Sequence, residues 1–243
     1  MVKISIITVV FNGENFLEDT IKSVLAQTYP HIEYIIIDGK SKDNTVGIIK
    51  KYVDHINYWV SEPDKGLYDA MNKGLHAATG DFVWFVNAGD TIAKSGILST
   101  IIGLVQEDTD VLFGEVMIVD ENRKPLGTRS QLTTQKLPES LNWQSLRYGM
   151  VVSHQGFLPR RTLAPDYILG NLTADIDWVI ECLKRSRRNT NTHQTLAEFQ
   201  TGGISTQRKR QSLRDRFTVL RKHFGLLPTL AAHAYILWRM LFK

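Results

Sequence analysis

The sequence predicts an α/β fold with a mainly parallel central sheet, helices flanking it, and a helical tail at the C-terminal end. Three observations carry that prediction. Through the first 90 residues, short runs rich in Ile, Val and Phe alternate with amphipathic segments, in the order strand, helix, strand, helix, strand, helix, strand. The strand runs are predominantly apolar, as strands buried on both faces are. Residues 208–243 carry nine Lys or Arg against Asp215 alone, a composition unlike the rest of the chain.

Each element has its own signal. Residues 4–11 form the first strand and Asn12-Gly13 a turn. Residues 15–27 form a helix with Phe16, Leu17, Ile21, Val24 and Leu25 inward, and Pro30 lies beyond its end. Residues 33–38 form the second strand. Residues 41–45 are a polar loop before a helix over 45–53, and 56–60 form the third strand. Pro63 and Gly66 mark a turn. In the helix over 67–78, Leu67, Ala70, Met71, Leu75 and Ala78 share one face, and Gly80 reads as a left-handed cap. Residues 82–86, Phe-Val-Trp-Phe-Val, form the fourth strand and stop at Asn87-Ala88-Gly89-Asp90. Farther on, the pattern predicts a helix over 95–105, strands over 111–113 and 114–120, a hairpin near Glu121-Asn122 and Pro125, and a helix from 172 to about 185. Residues 130–147 are weakly patterned. The tail reads as two helical pieces broken at 225–228, with Leu213, Phe217 and Leu220 on one side of the first.

The chain has 243 residues, 43% hydrophobic and 22% charged, ordinary for a soluble globular protein of one large domain or two small ones. The net charge of +4 divides into +8 for residues 208–243 and −4 for the remainder. A basic tail on a slightly acidic body is suited to meeting an anionic surface. The single cysteine, Cys182, excludes an intramolecular disulfide framework and agrees with a reducing cytoplasm; its expected role is a small buried apolar group. The apolar N-terminus is interrupted by Ser5 and Thr8, with no small-residue cleavage site before Asn12, so a signal peptide is not expected. No stretch is long and apolar enough for an assured membrane span.

Asp38 and Asp90 follow two of the strands, at the carboxyl edge where ligands bind in such sheets. A carboxylate delivered by a buried strand to a glycine-containing loop suits a metal–phosphate site. Plainer readings are a loop residue for Asp38 and a helix N-cap for Asp90. There is no Gly-x-Gly-x-x-Gly after the first strand and no Walker-type loop, which argues against an NAD enzyme or a P-loop phosphotransferase.

Several motifs occur together. They are Ile7-Thr-Val-Val-Phe-Asn12, Ser23-Val-Leu-Ala-Gln-Thr-Tyr29, Asp38-Gly39-x-Ser41-x-Asp43-x-Thr45, and Glu62-Pro-Asp-Lys-Gly-Leu-Tyr-Asp-Ala-Met-Asn-Lys-Gly74. In this order they resemble the family 2 glycosyltransferases of the A-type fold. The last is similar to a subgroup that includes colanic acid and other capsule glycosyltransferases. The likeness is dense over 1–90 and thin over 91–205. It implies a glycosyltransferase domain over 1–207, with a nucleotide-sugar half (1–90) and an acceptor half (91–207), followed by the tail 208–243.

The resemblance also implies roles. Thr8 and Val10 would edge the nucleotide base, with Asn12, Asp64 and Asn72 on the donor side. Asp38 would accept the uracil imide N–H of a UDP-sugar, although guanine and thymine fit that edge as well. Asn87-x-Gly89-Asp90 stands where the family has an acidic metal loop, leaving Asp90 as its only carboxylate for Mn²⁺ or Mg²⁺. Asn87 would contact ribose or a metal-bound water. Asp175, in Leu172-Thr-Ala-Asp-Ile-Asp177, falls on the catalytic base, with Asp177 nearby. His154 and Gln155 would line the acceptor cleft or meet the diphosphate. For the last four residues, loop-tying and helix-capping roles remain open.

The absence of a Gln-x-x-Arg-Trp motif implies one sugar per cycle, and Gly202–Thr206 resembles a flexible loop near the donor. The implied reaction is inverting transfer to a polyprenyl-diphosphate-linked or saccharide acceptor in bacterial surface polysaccharide synthesis. The tail would hold the protein peripherally at the inner face of the plasma membrane or pack on the body. An inactive nucleotide-sugar-binding module is the alternative, and nucleic acid is not an expected partner.

Overall fold

A computed structural model describes residues 1–201 and 208–241. Four parallel strands form the first sheet: β1 (Ile4–Val10), β2 (Ile32–Asp38), β3 (Tyr58–Ser61) and β4 (Phe82–Phe85), in the order β3-β2-β1-β4. The helices α1 (Leu17–Leu25), α2 (Thr45–Lys51) and α3 (Leu67–Ala77) make the crossovers. The register aligns Val10 with Asp38 and Asp38 with Ser61, so three loops leave the same carboxyl edge together.

Alternate strand residues serve the two faces of this sheet. Ile7, Val9, Ile35, Ile37, Val83 and Phe85 pack with Ala70, Met71 and Leu75 of α3. Ile6, Val10, Tyr34, Ile36, Phe82 and Trp84 pack with Leu17, Ile21 and Val24 of α1. Phe16 and Leu25, expected inward, are exposed at the two ends of α1. Gly74 of α3 lies against Ile7, where a Cβ would collide with the isoleucine methyl. Gly80 is not a left-handed cap. The chain leaves α3 extended at Ala78, and a Cβ at Gly80 would stand 2.7 Å from the Ser5 backbone nitrogen, so the glycine permits close approach to β1.

The second sheet is mixed. It contains β5 (Thr91–Ile92), β6 (Val111–Val119), β7 (Pro125–Thr128), β8 (Phe157–Pro159) and β9 (Asn189–Gln200), ordered β5-β9-β6-β7 with β8 also on β6. The helix α4 (Ile97–Ile102) precedes β6. Residues 111–119 are one strand where the sequence suggested two; Gly114 sits within it against the Gln194 carbonyl, and the β6–β9 register shifts there. The hairpin at Glu121-Asn122 forms between β6 and β7. A bridge from Phe82 to Arg160 joins the two sheets.

Helices α5 (Arg129–Leu132) and α6 (Ala174–Arg185) follow in the second half, then α7 (Lys209–Phe224) and α8 (Leu226–Leu241), which are separated at Gly225 with φ +83°. Cys182 is buried, as expected. Helix α7 packs on the body. Val219 and Leu220 enter the same core as α3 and α6, and Phe224 stacks on Trp143. Leu213, expected on the packed side, is exposed. Helix α8 buries Thr229 and Ala232 but exposes Leu226, Leu227, Leu230, Tyr235 and Trp238. No helix among the described residues is long and apolar enough to cross a membrane. The loop 202–206 lies outside the described residues.

Candidate active site

At the carboxyl edge of the first sheet, Asp38 ends β2 fully buried. Its carboxylate accepts hydrogen bonds from the Ser41 backbone N–H and hydroxyl and from the Ser61 hydroxyl at 2.5 Å. Two serines thus supply three donors to this carboxylate. Asn12 (φ +51°) and Lys40 (φ +63°) both take the left-handed conformation, which explains why glycine suits position 40 in the resembled motif. The Asn12 side chain accepts from Lys42 N–H at 2.9 Å, clasping the two loops. Asp64 leans over Gly39, where a Cβ would collide with its carboxylate, and accepts from Gly66 N–H at 2.9 Å.

Three residues expected on the donor side have their side chains engaged within the protein. The Thr8 hydroxyl is buried and donates to the Val86 carbonyl at 2.7 Å, beside the Tyr34 hydroxyl, so it serves the sheet interior. The Val10 side chain belongs to the core on the α1 face. Asn72 is committed in both directions to Tyr167, donating to its carbonyl at 3.0 Å and accepting from its N–H at 2.7 Å; it fastens α3 to the 160s segment.

The 87–90 turn follows β4, with Asp90 N–H donating to the Asn87 carbonyl and Gly89 at φ +101°. Asp90 is buried, and burial pushes its carboxyl up to about 7, against the Gln155 hydrogen bond and the Arg123 charge. Gln155 Nε2 donates to Asp90 Oδ2 at 2.9 Å, while its Oε1 accepts from Ser153 at 2.8 Å. Gln155 is therefore a positioning residue for Asp90. Nearby, the buried Asn87 Oδ1 has no hydrogen-bond partner, an arrangement that costs about 1–3 kcal/mol. A carboxyl raised by burial and an orphaned carbonyl oxygen in one turn fit a hard divalent cation. No group of three or more His, Cys, Asp or Glu among the described residues is placed to hold a metal alone. Phosphate and water oxygens would complete the shell, the usual manner for Mg²⁺.

The first turn of α6 carries Asp175. Its carboxyl is raised by burial, with the Ile176 N–H and the Arg216 charge opposing. The Tyr68 hydroxyl lies 3.4 Å from Asp175 Oδ1 and 3.2 Å from the Leu172 carbonyl, and its ring stacks on Tyr167. Tyr68 lies inside a motif quoted above, but nothing in its spacing reveals this contact 107 residues away. Asp177, two residues on, is bound differently. Its carboxylate takes Lys222 Nζ and His223 Nε2, each at 2.7 Å, and these bonds hold its pKa down against burial. It anchors α7. His154 is buried among Phe85, Tyr167 and Trp178, with Nε2 2.6 Å from the Tyr167 hydroxyl. Burial lowers its pKa to about 4, so the ring is neutral at physiological pH.

The family model described as "Glycosyl transferase family 2" matches residues 5–166. The chain belongs to this family. A PGL/p-HBAD biosynthesis glycosyltransferase of Mycobacterium bovis is 26% identical over 212 residues, covering 83% of this chain and 78% of the relative. An uncharacterized glycosyltransferase of Mycobacterium tuberculosis is 42% identical over 97 residues, 40% of this chain and 37% of that protein. The chain thus spans little more than a third of that relative's length. Among solved structures, S. aureus TarS 1-349 in complex with UDP-GlcNAc superposes with a TM-score of 0.68 at 19% identity, over 89% of this chain and 65% of that one. The mannosyltransferase PcManGT from Pyrobaculum calidifontis, in complex with GDP-Man and Mn²⁺, gives 0.68 at 16% identity, over 96% and 69%. These likenesses establish the A-type glycosyltransferase fold for this family 2 member.

Proposed function

We propose that this family 2 chain transfers one sugar per cycle, with inversion, from a nucleotide-diphosphate sugar, a UDP-sugar in the first instance, to an acceptor hydroxyl. The observation that carries the reading is Asp175, a carboxyl raised by burial at the start of α6. It takes the acceptor O–H proton as that oxygen bonds to the anomeric carbon and the bond to the diphosphate breaks. A positioned base of this kind contributes about 10²–10⁴-fold. Asp90 and Asn87 are the residues that would hold a divalent cation, Mn²⁺ or Mg²⁺, which when bound neutralises charge on the departing diphosphate. Gln155 orients Asp90, and Asp38, with Ser41 and Ser61, meets the base.

The acceptor reading is a polyprenyl-diphosphate-linked or saccharide group in bacterial surface polysaccharide synthesis, as in the colanic acid and capsule subgroup. Support for a glycoconjugate acceptor comes from the PGL/p-HBAD biosynthesis relative, and for the donor class from a fold that in other proteins holds UDP-GlcNAc and GDP-Man. The exposed apolar residues of α8, within a basic tail, suit attachment to a membrane surface at the cytoplasmic side.

Asp175→Asn tests the base. With UDP-GlcNAc as probe, UDP release and transfer should fall by at least about 10²-fold while the thermal shift given by UDP with Mn²⁺ is retained; wild-type turnover in the variant sinks the assignment. The reduction of the metal loop to one carboxylate favours a second reading, a catalytically inactive nucleotide-sugar-binding module. Nucleotide binding by the wild-type chain without turnover of any sugar donor would establish it.

A further inference from the structure

Arg216 lies on α7, outside every motif above. Helix α7 is fixed to the start of α6 at two points. Asp215 Oδ2 accepts from the Leu172 N–H at 2.8 Å, three residues before Asp175, and Asp177 takes Lys222 and His223. Between these clasps Arg216 turns toward the body. Its Nε is buried and has no hydrogen-bond partner, and its guanidinium forms no ion pair with a described carboxylate. Its charge is felt by Asp175 and by Arg129, a second half-buried guanidinium. Arg129 is occupied: it donates to the carbonyls of Gln135, Met150 and Val151. Arg216 is the member of the pair with a donor to spare. A buried N–H of a charged group left unmade is costly, and a guanidinium fork matches phosphate oxygens.

We infer that Arg216 holds a phosphate group beside Asp175, so that the C-terminal helix supplies part of the substrate site. The inference rests on the glycosyl-transfer reading for which substrate brings the phosphate. That group is either the diphosphate of the donor or a phosphate on a lipid-linked acceptor, the chemistry at Arg216 being the same.

The test is calorimetry on the full chain with inorganic pyrophosphate, and separately with UDP plus Mn²⁺, for wild type, Arg216→Gln, Arg216→Lys and the exposed control Arg214→Gln. Arg216→Gln should weaken pyrophosphate by roughly 10- to 100-fold, the loss of one charge-assisted hydrogen-bond set. Arg216→Lys should recover part of this, and Arg214→Gln should match wild type. A parallel loss for UDP with Mn²⁺ assigns the group to the donor, whereas unchanged UDP binding assigns it to the acceptor. Equal pyrophosphate affinity in wild type and Arg216→Gln, or no measurable binding to wild type, overturns the inference. Circular dichroism melts identify a folding defect in the Gln variant, in which case Arg216→Lys carries the comparison. Absence of sugar turnover by wild type would sink the glycosyl-transfer reading but leave the pyrophosphate result standing, so the two failures are distinct.

Discussion

At the scale of single residues, the site is built from carboxyls whose surroundings push them apart. Asp90 is raised to about 7 by burial, and its turn carries an unpartnered Asn87 oxygen. Asp90→Asn should abolish the metal-dependent part of the nucleotide thermal shift and leave the metal-free part; a shift that still grows with Mn²⁺ would move the cation elsewhere. Glu33 is the opposite case. Burial raises its pKa, but Lys3, Ser5 and Thr79 outweigh it and bring the carboxyl down to about 2. A folded pKa below the ordinary glutamate value of 4.5 stabilises above that value, and the stabilisation is lost as pH falls from about 4.5 to about 2. Glu33→Gln should therefore cost about 2–3 kcal/mol at neutral pH and flatten the acid limb of a stability–pH curve measured by urea titration.

At the scale of elements, the strands of the first sheet were legible because they are short runs dominated by β-branched and aromatic residues. The strand β9 was not. Its sequence, Asn-Thr-Asn-Thr-His-Gln-Thr-Leu-Ala-Glu-Phe-Gln, offers Leu196 and Ala197 as its fully buried apolar residues, and its order comes from pairing along β6. The short β8 is likewise set by β6 and the Arg160 bridge. Asp38, Asp90 and Asp175 could be found from motifs, but what surrounds them could not. Gln155 reaches Asp90 across 65 residues and Lys222 reaches Asp177 across 45, separations that no local pattern encodes. The Asp177 clasp has a measurable strength. Asp177→Ala leaves the buried His223 without its acceptor and should destabilise by about 3 kcal/mol, with strong non-additivity in an Asp177–His223 double-mutant cycle. Additive effects would show that the helices are held by apolar contacts alone.

At the scale of the whole molecule, the tail divides its labour. Helix α7 is body, while α8 turns Leu226, Leu227 and Leu230 outward, with Leu227 77% exposed. The sequence composition suggested a membrane-facing tail or a packed one; the structure packs α7 and leaves an apolar surface on α8. Wild-type protein should co-sediment with vesicles containing anionic phospholipid and be released by salt. Leu227→Glu with Leu230→Glu should pellet several-fold less while keeping its melting temperature. Equal pelleting would remove α8 from the membrane reading.

The clasp between α7 and the start of α6 also orders events in time. During synthesis the parallel sheet and its crossover helices leave the ribosome first and can collapse on one another. Val219, Leu220 and the Asp215 acceptor for Leu172 come from residues made after all of these. Until they arrive, the segment bearing Asp175 has Phe85 and Tyr167 to pack on through Trp178 but lacks its backbone tether to Asp215. A nascent chain can thus set the carboxyl edge of the first sheet before the start of α6 is tethered, and α7 acts as a late step that fixes the segment bearing Asp175.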